Sequence, residues 1–258
     1  MFKAIPMFSG SSGNSTYIKS GNDEILIDAG VSYKNIRLAL ERLETDISNI
    51  KAIFVTHEHS DHIKGLEVLA KNNPDIPIYI NGNSLEEMSN LGYVYALNSA
   101  CVKNPGDEVS IGSFHAFIFD TPHDSNGSVG YRFESTYGDT LGYATDIGNI
   151  TQKIQDALLG CQSVVIESNH DISMLKSGPY PYILKKRILS DHGHLSNDAC
   201  AEFLPELVDH GTKKIVLAHL SHENNTPDIA YRTSASHLTD AGFTPEDVKL
   251  TVAMRSIL

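Results

Sequence analysis

Short apolar runs that end in an acid or a histidine recur along this chain. Glu24-Ile25-Leu26-Ile27 leads into Asp28, Ala52-Ile53-Phe54-Val55 into Thr56-His57, and Ile215-Val216-Leu217-Ala218 into His219. Runs of this length, rich in aliphatic and β-branched residues, read as strands buried on both faces. Further strands are expected at 78–80, 114–119, 163–166 and 248–252, and the short alternating segments between 92 and 145 predict a meandering sheet. Helical spacing covers 33–43, with Ile36, Leu40 and Leu43 on one face, and also 63–72, 150–159, 196–209 and 228–241. Ser9-Gly10-Ser11-Ser12-Gly13-Asn14-Ser15 reads as a turn. Strands come before helices in both halves and nothing resembles a linker or a close repeat. The expectation is one domain over 1–258, with two sheets packed together and helices outside.

Composition narrows the class. With 41% hydrophobic and 20% charged residues the chain can fill a core, so disorder is excluded. No apolar run reaches the ~18–20 residues that span a bilayer, and residues 1–6 lack a signal-peptide apolar region. Cys101, Cys161 and Cys200 are odd in number and far apart, as reduced thiols are. A cytoplasmic protein without a membrane partner is expected. The net charge of −12 argues against a surface built for non-specific nucleic-acid binding. It leaves a nucleic-acid substrate open, because bound divalent ions reverse the local potential. Lys185-Lys186-Arg187, with Lys176 upstream, reads on its own as a solvated helix face.

The densest chemistry lies in Thr56-His57-Glu58-His59-Ser60-Asp61-His62, which puts three imidazoles and two carboxylates into seven residues at the end of a strand. Imidazole nitrogens and carboxylate oxygens are the donors that Zn²⁺, Mn²⁺ and Fe²⁺ accept, and H-x-H-x-D-H offers enough of them for two adjacent ions. Asp28, His123, Asp146 and His219 also follow apolar runs. Any one alone reads as a cap or a satisfied core residue; the repetition points to a shared site. His115, His210 and His237 read as surface or packing residues, and His222 is ambiguous.

The ordered set Asp28, His57-x-His59-x-Asp61-His62, His123, Asp146 and His219 resembles the five-motif signature of the metallo-β-lactamase superfamily. That resemblance implies an α/β fold, a four-layer αββα sandwich, with two divalent ions (Zn, Mn or Fe) at the sheet edges. By it His57, His59 and His123 hold one ion and Asp61, His62 and His219 the other. Asp146 bridges the two, and Asp28 orients a ligand from behind. Two such ions ~3.5–4 Å apart generate a hydroxide nucleophile from water at neutral pH and neutralise a leaving oxygen.

Substrate choice must come from other residues. Glu167, after a buried strand, and His194, before a helix, resemble the phosphodiesterase branch that includes RNase Z. There the Glu orients a His that protonates the leaving oxygen, so Asp61, His194 and Glu167 are the catalytic candidates. The 9–15 turn and Leu217-Ala218-His219-Leu220-Ser221-His222-Glu223-Asn224-Asn225 resemble the YycJ/WalJ (VicX) branch, which is linked to DNA exonuclease activity. Ser11, Ser12, Asn14, Asn224 and Asn225 are then expected phosphate or nucleotide contacts. Lys185, Lys186 and Arg187 would meet the strand, with Tyr180 and Tyr182 to stack on bases. Glu223-Asn224-Asn225 replaces the Arg-Tyr pair of RNase Z, and no tRNA-gripping arm is evident. DNA is therefore favoured over RNA as the nucleic-acid partner, and a homo-oligomer is left open. The alternatives are a hydrolase of a small acyl or cyclic phosphodiester substrate, a redox di-iron protein, and a non-catalytic signalling-associated module on the same fold.

Overall fold

In the computed structural model, which describes residues 2–258, the pleat splits each apolar run between two cores. Ile25 and Ile27 face one core while Leu26 faces another; Ala52 and Phe54 separate in the same way from Ile53 and Val55. In the other half, Val165 and Val216 join the core of Ile25 and Phe54, whereas Val164, Ile166, Ile215 and Leu217 enter a third. Side chains alternate faces along a strand, so a run that looks uniformly apolar in sequence serves two layers. Three apolar interfaces of this kind define four layers: helices, sheet, sheet, helices.

The first sheet has six strands in sequential order, β1 (Lys3–Phe8), β2 (Ser15–Ser20), β3 (Asp23–Ile27), β4 (Ile50–Phe54), β5 (Ile78–Ile80) and β6 (Ala100–Val102). Its outer face carries α1 (Tyr33–Arg42), α2 (Ser60–Ile63), α3 (Leu66–Asn72), α4 (Gly82–Asn90) and α5 (Tyr95–Asn98). The second sheet, of seven strands, comprises β7 (Glu108–Ile111), β8 (Phe114–Asp120), β9 (Val129–Ser135), β10 (Thr140–Ala144), β11 (Ser163–Glu167), β12 (Lys214–Ala218) and β13 (Lys249–Val252). Its helices are α6 (Gln152–Leu158), α7 (Ile172–Ser177), α8 (Tyr182–Ile188), α9 (Asn197–Asp209) and α10 (Pro227–Asp240). Each sheet is antiparallel at its start and parallel at its end, as β3–β4 and β10–β11–β12 are. The C-terminal ends of β3, β4, β8, β10, β11 and β12 all open into loops that carry the candidate residues. Crevices beyond the carboxyl ends of parallel strands are where α/β sheets place ligands.

Two expectations need correction. The helix expected at 63–72 starts at Ser60 and breaks at Lys64-Gly65. A Cβ on Gly65 would lie 2.0 Å from the Val31 carbonyl, and its N–H donates to Ala29, so the chain must pinch against the 29–31 loop there. The segment 92–145 is not one meander either, because α5 interrupts it and β6 pairs in parallel with β5 in the first sheet. Helices α4 and α7 had no counterpart in the sequence reading. Among the described residues no helix is long and apolar enough to cross a membrane, and the three cysteines are free.

The inter-sheet core centres on Phe54, whose ring lies 4.9 Å from Tyr79, 5.3 Å from Tyr131 and 5.2 Å from Phe133. Phe54→Ala should cost about 3–5 kcal/mol in denaturant-induced unfolding. A loss below ~1 kcal/mol would mean that these rings do not hold the sheets together.

Candidate metal centre

Six strand ends converge on one cleft. His57 and His59 leave β4 in an extended segment, where spacing by two puts both imidazoles on one side. His57 Nε2 lies 3.1 Å from His59 Nδ1, which is 3.3 Å from His123 Nε2 on the β8–β9 loop. Beside this trio, His62 Nε2 sits 3.6 Å from Asp61 Oδ2, and His219 Nε2 lies 3.8 Å from the same oxygen. Asp146 stands between the two sets: Oδ2 is 3.3 Å from His62 Nε2, and Oδ1 is 3.9 Å from His123 Nε2. The trio and the Asp61, His62 and His219 set each bring one donor atom per residue within 4.8 Å of the others.

The supports behind these donors are specific. Asp28 Oδ2 lies 2.8 Å from His62 Nδ1, and its two oxygens also accept from the Thr56 N–H and hydroxyl. That contact leaves His62 Nε2 facing the cluster. Glu167 Oε1 lies 2.8 Å from His194 Nδ1 and 2.9 Å from His219 Nδ1, so one carboxylate orients both rings. Its Oε2 accepts from the Ile147 and Leu195 N–H groups. Asn169 donates to the His219 carbonyl, and the His219 N–H donates to Ser9 Oγ. The adjacent Nδ1 of His123 is 3.1 Å from the Gly193 carbonyl. Partners of this kind fix the tautomer and direction of a metal-binding imidazole. Asp28, Asp146 and His219 also adopt left-handed backbone, with φ of 61°, 55° and 56°.

The electrostatics ask for cations. Burial pushes His57 and His123 below the usual histidine value, which keeps them neutral and ready to coordinate. Burial also opposes charge on His62 and His219, but the carboxylates outweigh it. Asp146 and Asp28 hold His62 well above its usual value, and Asp146, Asp61 and Glu167 lift His219 to about 10. Burial would raise Asp146 and Glu167, yet the surrounding imidazoles bring Asp146 well below the usual range and Glu167 to about 2. Asp146 Oδ2 and His219 Nε2 are buried without any hydrogen-bond partner. Polar atoms left without a hydrogen bond and aimed into a cluster of imidazoles and carboxylates fit divalent ions.

The cleft around the centre encloses about 260 Å³ and is walled by Ser11, Tyr180, Leu184, Arg187 and Ser221 above the donors. His194 lines it, with Nε2 not engaged by Glu167. Several expected substrate contacts lie elsewhere. Asn14 is buried; its amide bonds Gly10 and the Asp61 carbonyl and lies 3.0 Å from His62 Nε2, so it packs behind the donors and does not open onto the cleft. Asn225 is buried and spends its side chain on Ser168, Asn169, Asn197 and Thr226. Asn224 is fully buried beside Ser221. None of the three side chains is exposed to the cleft, and burial is the reason. Ser12 is exposed but outside the cleft wall. Lys185 and Lys186 lie on α8, where Lys185 Nζ bonds the Lys176 carbonyl. Arg187 reaches the cleft and pairs with Asp124. Tyr180 lines the cleft, whereas Tyr182 is exposed. Glu58, Asp124 and Asn169 were missed; an acid next to a histidine carries no signal in sequence that tells partner from ligand.

A beta-lactamase superfamily domain model matches residues 23–220, and the chain belongs to this family. It is 36% identical over 235 residues to the exodeoxyribonuclease YycJ of Bacillus anthracis, covering 91% of this chain and 88% of that one. It is also 36% identical over 242 residues to the exodeoxyribonuclease WalJ of Streptococcus pneumoniae, covering 93% and 89%. Among solved structures, the metallo-β-lactamase fold protein YhfI from Bacillus subtilis superposes with a TM-score of 0.72 at 17% identity, covering 99% of this chain and 98% of that one. Zn²⁺-bound PqqB from Methylobacterium extorquens gives 0.69 at 15% identity, covering 100% and 99%. These likenesses establish the αββα fold.

Because His62 and His219 are raised, the ion-free protein carries protons on them near neutral pH. Coordination requires their lone pairs, so uptake of a divalent ion must expel protons, and affinity must rise with pH. Calorimetry at pH 7 in two buffers of different ionisation enthalpy should detect net proton release. Binding enthalpies that do not depend on the buffer would contradict the donor assignment.

Proposed function

From its place in the metallo-β-lactamase superfamily, we propose that this chain is a metal-dependent phosphodiesterase acting on nucleic acid, and specifically a DNA exonuclease with two divalent ions per chain. The observation that carries the reaction class is the His194–Glu167 pair at the cleft. The substrate follows from the relatives named exodeoxyribonuclease, which match more than nine-tenths of the chain.

His57, His59 and His123 would hold one ion and Asp61, His62 and His219 the other, with Asp146 between them. Ions so held activate water and neutralise charge that builds on phosphate oxygens. The residues of the chain do the rest. Burial opposes a proton on His194, but Glu167 and Asp146 outweigh it and hold the ring above its usual value, which favours the protonated form. Its Nδ1–H is anchored on Glu167 Oε1, leaving the Nε2 proton to be delivered to the departing oxygen. A 3′-alkoxide is a poor leaving group, so this proton matters for nucleic acid more than for an activated ester. Ser11 and Arg187 line the cleft wall and would meet phosphate there, and Lys185 and Lys186 would extend a positive track along α8. A cleft of about 260 Å³ lies just below the ~300–1,000 Å³ usual for small-ligand sites and suits the end of one strand better than an intact duplex.

The direct test is incubation of end-labelled linear DNA and RNA, single- and double-stranded, with Zn²⁺, Mn²⁺ or Fe²⁺. Stepwise loss from DNA ends is expected, and DNA that survives every metal would refute the proposal. His194→Ala should keep its metal content and slow DNA cleavage by about 10²–10⁴-fold. A nitrophenyl phosphodiester, whose leaving group needs no proton, should be much less affected. Equal slowing on both would remove His194 as the acid.

A further inference from the structure

We propose that Glu58 is a positioning residue: its carboxylate clasps the loop bearing His57 and His59 to the loop bearing His123, and so sets the spacing of these three imidazoles. Glu58 lies between the two histidines in an extended segment, so alternation turns it away from the cluster that they face. It is buried, and it belongs to none of the donor groups.

Both of its oxygens are used. Oε1 accepts from the Asn126 N–H at 2.7 Å, and Oε2 accepts from Ser84 Oγ at 2.7 Å. Asn126 sits on the β8–β9 loop, three residues past His123. Ser84 is fully buried on α4 and also lies 3.2 Å from the Gly127 carbonyl. On the same loop, Asn83 Nδ2 donates to the Asn126 carbonyl. The far end of the loop is fixed where the Val129 N–H donates to the Thr56 carbonyl. A Cβ on Gly127 would come within 2.5 Å of Asn81 Oδ1, so α4 and the loop are packed without slack. The strand end, the His123 loop and the start of α4 thus meet on one carboxylate. His123 itself is tied on its other side through Nδ1 to the Gly193 carbonyl. The Glu58–Asn126 bond is the hydrogen bond that, among the described residues, joins the His57–His59 segment to residues 124–127.

The inference rests on reading His57, His59 and His123 as ligands, so the wild-type protein is the control. Purified ion-free protein is titrated with Co²⁺, and affinity and the cobalt visible absorption spectrum are recorded for wild type, Glu58→Ala, Glu58→Gln and Ser84→Ala. Thermal midpoints are measured in parallel. Loss of a supporting partner typically lowers metal affinity by about 10–100-fold, and Glu58→Ala should fall in that range with an altered spectrum. Glu58→Gln should recover to within about threefold. Its amide oxygen still accepts from Asn126, and its amide N–H can donate to Ser84 Oγ while that hydroxyl turns to Gly127. Ser84→Ala should weaken Co²⁺ binding with its folding intact, and it decides the matter if Glu58→Ala does not fold. Wild-type affinity in the alanine variants, or a Gln variant no better than Ala, would overturn the role. A wild-type protein that takes up no Co²⁺ would instead refute the ligand assignment itself.

Discussion

Four carboxylates, Asp28, Asp61, Asp146 and Glu167, crowd one edge of the sandwich, and three of them are fully or almost fully buried. An uncompensated buried carboxylate costs several kcal/mol, so positive charge must enter with them. In the ion-free chain the compensation is protonic, carried by His62 and His219. Divalent ions supply it more fully and leave the imidazole nitrogens free to coordinate. The same balance links metal uptake to proton release, and it favours a proton on His194 through a carboxylate shared with His219. The rings of His194 and His219 therefore depend on a common partner, Glu167, for their orientation.

Holding that arrangement constrains the backbone. Asp28, Asp146 and His219 sit in left-handed conformation, which costs of order 1–3 kcal/mol at a non-glycine residue. Each is fixed by the fold around it. Asp28 N–H bonds the Phe54 carbonyl, and the Ala29 N–H takes the His62 carbonyl. His219 is anchored through its N–H to Ser9 and its carbonyl to Asn169. Gly30 shows how tight the packing is, since a Cβ there would lie 1.6 Å from the Asp61 carbonyl. Packing of the two sheets stabilises the turns that aim the donors.

How much of this was legible in sequence follows from physical range. Strands β3, β4, β11 and β12 were readable because each is a short apolar run ending in a donor, and H-x-H-x-D-H is local enough to carry its own meaning. The division of those runs between two cores was not visible, because every position is apolar. The break at Gly65 depends on Val31, a residue distant in sequence, and so left no local trace. Asn14, Asn224 and Asn225 are expected as substrate contacts only through a resemblance of short segments, which carries no information on burial; tertiary packing buries all three. Glu58 stood within the motif, and only the loop folded against it reveals why it is an acid.

The central claim is that one cleft holds two ions on two separate donor sets that share Asp146. Anomalous diffraction from crystals of the metal-loaded protein, collected at the absorption edge of the bound metal, tests it most directly. The account predicts two peaks ~3.5–4 Å apart. One should lie against His57, His59 and His123, the other against Asp61, His62 and His219, with Asp146 touching both. A single peak, or an ion coordinated by Glu58 or by Glu167 and His194, would contradict it.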